Sequence, residues 1–198
     1  MPVLQFGIDK ERYLTALAGH DVPIVPTEFV HSGAPFAPLP RPFVVKPAIS
    51  AGGRRSARFE GGDAAAGELV AEITGVGETA MVQPLLDGVP ETSLVFVDGT
   101  FSHALSRSAA LPAGRVEEVL YLDEKLGPAE ATAEERQVAE AALKLVPERW
   151  LYARVDLLGC QVLELEIVEP SLYLGYEERA AERLAEAIAS RLEATLPP

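Results

Sequence analysis

Cys160 is the only cysteine in this 198-residue chain, which excludes an internal disulfide framework and a cysteine-based metal site. Histidine is nearly as scarce, and His20, His31 and His103 have no ligand-like spacing. Basic residues are the minority: 17 Lys and Arg stand against 30 Asp and Glu, a formal charge of −13. That balance argues against nucleic acid as partner, because such binders concentrate cations to displace counterions. It leaves room for a small anionic ligand held by a few well-placed cations. No apolar run approaches the ~20 residues that span a bilayer, and the amino terminus lacks the flanks of a signal peptide. No Gly-x-Ser-x-Gly elbow supports a serine hydrolase, and Cys160 lies in a turn without a basic neighbour to activate it. What is there, 48% hydrophobic and 24% charged residues, is ordinary globular composition with enough apolar material for a core. The expectation is an acidic, soluble, cytoplasmic protein with no membrane partner.

Local patterns predict hairpins interleaved with helices. Asp9 can cap a helix over residues 9–18, with Tyr13, Leu14 and Leu17 on one face. Residues 22–30 read as an extended segment broken by prolines, and Pro35, Pro38, Pro40 and Pro42 stiffen the connection into a strand over 42–46. A glycine loop (50–56), a short strand (57–59), a helix (63–73) and a buried strand (79–86) follow. Asp98-Gly99 between alternating runs at 92–97 and 100–107 is the strongest hairpin signal in the chain. Further on, the spacing predicts a strand over 116–121, a helix over 133–145, strands over 150–158 and 161–168, and an amphipathic helix over 177–196. That last helix repeats Ala180, Leu184, Ile188 and Leu192, read as a face packed on the core. The class is α+β with a mainly antiparallel sheet.

Three constellations can carry chemistry. Lys46 ends an apolar strand and is followed by Ser50, Ala51, Gly52 and Gly53, small residues whose backbone N–H groups can approach phosphate oxygens. The order is not that of a P-loop, and a lysine beside a glycine turn is, taken alone, more often a solvated strand end. In Arg154-Val-Asp156 and Glu164-Leu-Glu166 the charged side chains alternate with period two and so share a sheet face, with Glu169 following. Carboxylates gathered in this way suit Mg²⁺, although a single Glu-x-Glu is more often a solvated face. The strand leading into Gln83, Leu85 and Leu86 can offer edge backbone groups to an adenine, with Glu91 placed for a ribose; a core strand ending in a turn explains it equally well. Arg107 either binds an anion or is exposed, and His103 is read as structural or exposed.

The order of these pieces resembles the ATP-grasp superfamily. The segments FVVKPAISAGGRRSARF, MVQPLLDGVPETSLVFVDGTFSHALSR and WLYARVDLLG…VLELEIVEPSLYL are similar to its glutathione-synthetase-like branch, and within it to actinobacterial proteins of the O-ureidoserine cyclo-ligase type. The resemblance implies two α+β subdomains clasping a nucleotide, residues 1–84 with the glycine lid and 85–198 with the metal site. It implies that Lys10 and Lys46 hold nucleotide phosphates, that residues 50–56 cover them, and that Gln83, Leu85, Leu86 and Glu91 take the nucleoside. Arg107 would face the phosphates and Arg154 would stabilise the acyl intermediate. Asp156, Glu164 and Glu166 would bind Mg²⁺, with Mn²⁺ as an alternative ion; Glu166 stands where the family commonly has Asn, so the choice among Glu164, Glu166 and Glu169 stays open. The implied activity is ATP-dependent joining of a small-molecule carboxylate and an amine through an acyl phosphate. The alternative is a nucleotide-binding scaffold or fragment without turnover. Relatives usually begin with a further domain, so a homo-oligomer or a partner supplying that surface is also expected.

Overall fold

Asp9 separates two helices. Its side chain accepts the backbone N–H groups of Glu11 and Arg12, capping α2 (Lys10–Ala18), and it ends the preceding α1 (Pro2–Ile8), which the sequence pattern did not announce. The computed structural model describes residues 2–109, 113 and 124–195, so the strand expected over 116–121 lies outside the described residues.

A four-stranded antiparallel sheet follows, formed by β1 (Glu28–Val30), β2 (Phe43–Pro47), β3 (Ala57–Phe59) and β4 (Ala80–Pro84) in the order β1-β4-β2-β3. Helix α3 (Ala66–Gly75) covers one face through Leu69, Val70 and Ile73, packing on Phe43, Val45, Ala57, Phe59, Ala80 and Val82. It starts three residues later than expected, because the Asp63 side chain first turns the chain by accepting the Ala65 N–H at 2.9 Å. Period-two alternation sends Val44, Lys46, Met81 and Gln83 to the opposite face. Strand β4 is buried at all five positions, since both of its faces are covered.

The second sheet has five antiparallel strands in the order β7-β6-β5-β8-β9: β5 (Glu91–Val97), β6 (Thr100–Ala109), β7 (Glu124–Ala129), β8 (Tyr152–Leu158) and β9 (Gln161–Glu166). Asp98 and Gly99, both at positive φ (45° and 84°), close the β5–β6 hairpin as the sequence predicts. One face carries Leu94, Phe96, Ala153, Val155, Leu157, Val162 and Leu165 against α1, α2 and α4 (Ala133–Leu143). Helix α4 is started by a capping box between Thr132 and Glu135. The first two helices thus precede the four-stranded sheet in the chain but share the core of the five-stranded one.

The remaining element, α5 (Ala180–Thr195), follows a 3-10 turn at Leu174–Tyr176 and packs over β5 and β6. Its expected core face is only partly one: Ala180 is buried, whereas Ile188 and Leu192 are 42% and 61% exposed. Polar contacts anchor the helix instead, Arg191 to Asp98 at 2.5 Å and Arg183 to the Ser102 hydroxyl and carbonyl at 3.2 Å each, with Glu177 pairing Arg183 locally. No helix among the described residues is long and apolar enough to cross a membrane.

Candidate active site

The face of the five-stranded sheet away from α1, α2 and α4 carries the charged residues of β8 and β9, and it looks across a cleft at the Lys46 face of the smaller sheet. The cleft holds about 1120 Å³, above the range of roughly 300–1,000 Å³ usual for a single small ligand. Strand register orders its floor. Leu158 and Glu91 pair at one end, where the Leu85–Pro90 connection enters β5; Asp156, Ser93 and Glu164 pair in the middle; Arg154 and Glu166 pair at the far end. At ~3.3 Å per residue, the four steps from Leu158 to Arg154 span about 13 Å.

Asp156 is the centre of this floor and is 1% exposed. Its Oδ1 accepts the Ser93 hydroxyl at 2.6 Å and Arg154 Nε at 2.8 Å, and its Oδ2 accepts Arg154 at 2.9 Å and Arg107 at 2.7 Å. Four donors fill the lone-pair positions a carboxylate offers. Arg154 reaches onward to Glu166 Oε1 at 2.7 Å and to the Ser171 carbonyl at 3.1 Å. Arg107, expected either to bind an anion or to be exposed, is largely buried and also lies 3.6 Å from Glu91.

Lys46 is not a solvated strand end: its Nζ donates to Glu164 Oε1 at 2.8 Å across the cleft. Lys10 is buried beside it and donates to the Ser50 carbonyl at 2.9 Å, tying α2 to the glycine loop. In that loop Gly52 and Gly53 take φ of 62° and 73°, which a side chain would resist, and Ser50, Ala51, Gly52 and Gly53 all line the cleft. Arg55 pairs with Glu78 at the base of the loop. Gln83 also faces the cleft, but its amide donates to Thr27 at 2.9 Å; Leu85 and Leu86 line the same wall, and the Leu85 N–H is committed to the Pro42 carbonyl at 2.8 Å.

Burial and neighbouring charge set opposite pressures on the acids. Burial pushes Glu91 up to about 7 against the pull of Arg107. Glu166 also rises to about 7, through burial and the nearby Asp156 and Glu164 charges, despite Arg154. Burial acts upward on Glu164 too, but Lys46, Lys10 and Arg107 together hold its carboxyl well below the usual range.

Carboxylate oxygens of Asp156, Glu164 and Glu166 lie within 4.8 Å of one another, a hard-oxygen set of the kind Mg²⁺ takes. Glu164 and Glu166 fit that ion best, because each accepts one charged partner, whereas Asp156 would have to release a guanidinium to take it. Glu169 lines the cleft but stands outside the cluster.

The sites expected from sequence therefore converge on one cleft. Two features escaped the sequence reading. A bulge opposite Asp156 and Leu157 lets Val162 and Leu165, three residues apart, both enter the core, so that Leu163 and Glu164 both reach the cleft. Apolar residues spaced by three within a strand were the available signal. The second is Tyr173, which lies over the Arg154 guanidinium with 5.5 Å between its ring centre and the guanidinium carbon.

Two antiparallel sheets facing each other over a lysine pair, a glycine loop and an acid–arginine floor define a nucleotide-clasping ligase fold, and comparison with known proteins agrees. The chain is 34% identical to the cycloserine biosynthesis protein DcsG of Streptomyces lavendulae, over 98% of this chain and 72% of that protein. The crystal structure of D-cycloserine synthetase DcsG superposes with a TM-score of 0.80 at 32% identity, covering 96% of this chain and 72% of the other. D-alanine–D-alanine ligase from Bacillus anthracis, complexed with ATP, shares the fold at a TM-score of 0.71 and 16% identity, over 98% of this chain and 67% of its own. No family model matches the chain. The chain belongs to the ATP-grasp family of ATP-dependent ligases.

Proposed function

We propose that this protein activates a small carboxylic acid with ATP and joins it to an amine or related nucleophile, with the cleft residues in the roles their positions suit. The observation that supports this reading most strongly is the order along the cleft: Leu85, Leu86 and Leu158 beside Glu91 at one end, Lys46 facing Asp156 and Glu164 across the middle, and Arg154 at the other end. The nucleoside lies at the Leu85, Leu86 and Glu91 end, with Gln83 behind it. Lys10, Lys46, Arg107 and the N–H groups of the 50–53 loop surround the phosphates. The clasp lies between the smaller sheet, within residues 28–84, and the larger sheet that follows the Leu85–Pro90 connection, with α1 and α2 packed on the larger sheet and not with the rest of residues 1–84. Glu164 and Glu166 hold Mg²⁺, with Asp156 fixing both arginines; the ion, when bound, neutralises charge on the β- and γ-phosphates.

The acid's carboxylate oxygen attacks the γ-phosphorus, the bond to the β-bridging oxygen breaks, and ADP departs. The nucleophile's nitrogen then attacks the acyl carbon, phosphate leaves, and the nitrogen gives up a proton. Arg154, fixed by Asp156 and Glu166, stabilises the negative charge that gathers on the acyl oxygens. No side chain acts as a nucleophile, so positioning and charge carry the rate.

Phosphate release from MgATP with a panel of small carboxylic acids and amines tests this reading. Release that requires both an acid and an amine is expected. Nucleotide binding with no release for any pair would favour a scaffold without turnover.

A further inference from the structure

Tyr173 has a backbone that its side chain does not favour. Among the described residues, Asp21, Arg55, Asp98 and Tyr173 are the non-glycine positions at positive φ, and Tyr173 is the one aromatic, at φ 48° and ψ 40°. Bulky residues held in the left-handed region persist only where their surroundings over-determine them, and they gather at ligand sites. The surroundings here are two buried side chains. Arg154 donates to the Ser171 carbonyl at 3.1 Å, and His103 Nε2 donates to the Leu172 carbonyl at 3.0 Å. His103 is 4% exposed, and with Nε2 carrying the proton its Nδ1 accepts the Ser102 hydroxyl at 2.9 Å. Burial holds the imidazole below its usual pKa, in keeping with this neutral form. The histidine set aside on sequence grounds thus pins the strap that carries Tyr173.

The strap delivers the ring to one place. It lies over the Arg154 guanidinium, meets Tyr176 edge-on at 6.3 Å, and lines the cleft at the end opposite Leu85 and Glu91. Given the floor's order, that end lies beyond the phosphates, where the phosphoryl acceptor must sit. We propose that Tyr173 is the specificity-determining residue for the acid: its ring walls the space beside Arg154, so that a short-chain carboxylic acid fits with its carboxylate toward the guanidinium and a long chain does not. His103 is a positioning residue that acts through the Ser171–Tyr173 strap. This inference rests on the proposed ligase reading.

The test uses the full chain with MgATP, hydroxylamine to trap any acyl phosphate as a hydroxamate, and a series of acids: alanine, 2-aminobutyrate, norvaline and norleucine in both configurations. Tyr173→Asn removes the ring while keeping a residue that tolerates the left-handed backbone, and Tyr173→Phe keeps the ring. Wild type and Tyr173→Phe should favour the shortest acid over the longest by tenfold or more in kcat/KM. Tyr173→Asn should compress or invert that ratio by at least tenfold, with KM for MgATP within twofold of wild type. His103→Gln should raise KM for the acid and leave that for MgATP unchanged. An unchanged length preference in Tyr173→Asn overturns the proposal. So does a wild type that binds MgADP but forms no hydroxamate with any acid, a result that leaves the nucleotide half of the site standing. Absence of nucleotide binding would remove the ligase reading itself.

Discussion

The two faces of the five-stranded sheet differ by a single residue step and obey different physics. Along β8, Ala153, Val155 and Leu157 enter a dry core, whereas Arg154 and Asp156 lie on the opposite face, Arg154 lining the cleft and Asp156 buried beneath it. The core face is held by non-directional burial, at ~25 cal/mol per Å² of apolar surface. The cleft face is held by directed, charge-assisted bonds that cost several kcal/mol per ion in desolvation unless every partner is present. Neighbouring positions should therefore fail in different ways: core substitutions lose stability and keep ligand affinity, and cleft substitutions report on charge.

The sharpest way to break this contrast is at its keystone. Asp156→Ala leaves the Arg154 and Arg107 guanidiniums without their shared acceptor, and a destabilisation of about 3–5 kcal/mol is expected by urea unfolding, with ligase turnover lost. A cost below about 1 kcal/mol would show that the network does not hold the fold. Next, Leu157→Ala one position along should cost about 2–5 kcal/mol through its cavity, while nucleotide affinity in the remaining folded protein stays within twofold. Gly7→Ala probes the seam between the faces. A Cβ there would lie 2.5 Å from Ile167 Cγ1 and 2.9 Å from Val168 Cγ2, and the overpacking should cost about 1–3 kcal/mol in thermal or urea unfolding.

The smallest effect is a pH slope. Glu91 rises to about 7 in the folded, ligand-free protein, above its value near 4.5 in the unfolded chain. Its contribution to stability is therefore full below pH 4.5 and is lost as pH rises through 7. Stability of the ligand-free protein should decline between pH 5 and 8, and Glu91→Gln should flatten part of that decline.

Elements with local causes were legible in the sequence. The Asp9 cap, the Asp98-Gly99 turn, the alternating β8 and β9 and the Lys46 strand all carry their determinants within a few residues. The acids and arginine of the floor were legible for the same reason, since alternation alone puts Arg154 with Asp156 and Glu164 with Glu166 on one face. What was not legible depends on distant partners. Helix α1 lies in a segment too short to show a period, and β7 contains Gly127 and Pro128, which are poor strand formers. His103 gives no sign of its role until Leu172, 69 residues later, arrives beside it. The apolar period of α5 was real, yet Arg191 paired with Asp98 and Arg183 bonded to Ser102 hold the helix where Ile188 and Leu192 remain exposed.

The central claim is that the space between the two sheets binds a nucleotide through Lys46 and the acid–arginine floor. Calorimetric titration of ADP in the presence of Mg²⁺ tests it most directly. One site is predicted, dependent on the cation and weakened at least tenfold by Lys46→Ala. A protein that gives no binding heat, or a Lys46→Ala variant that binds as the wild type does, would contradict it.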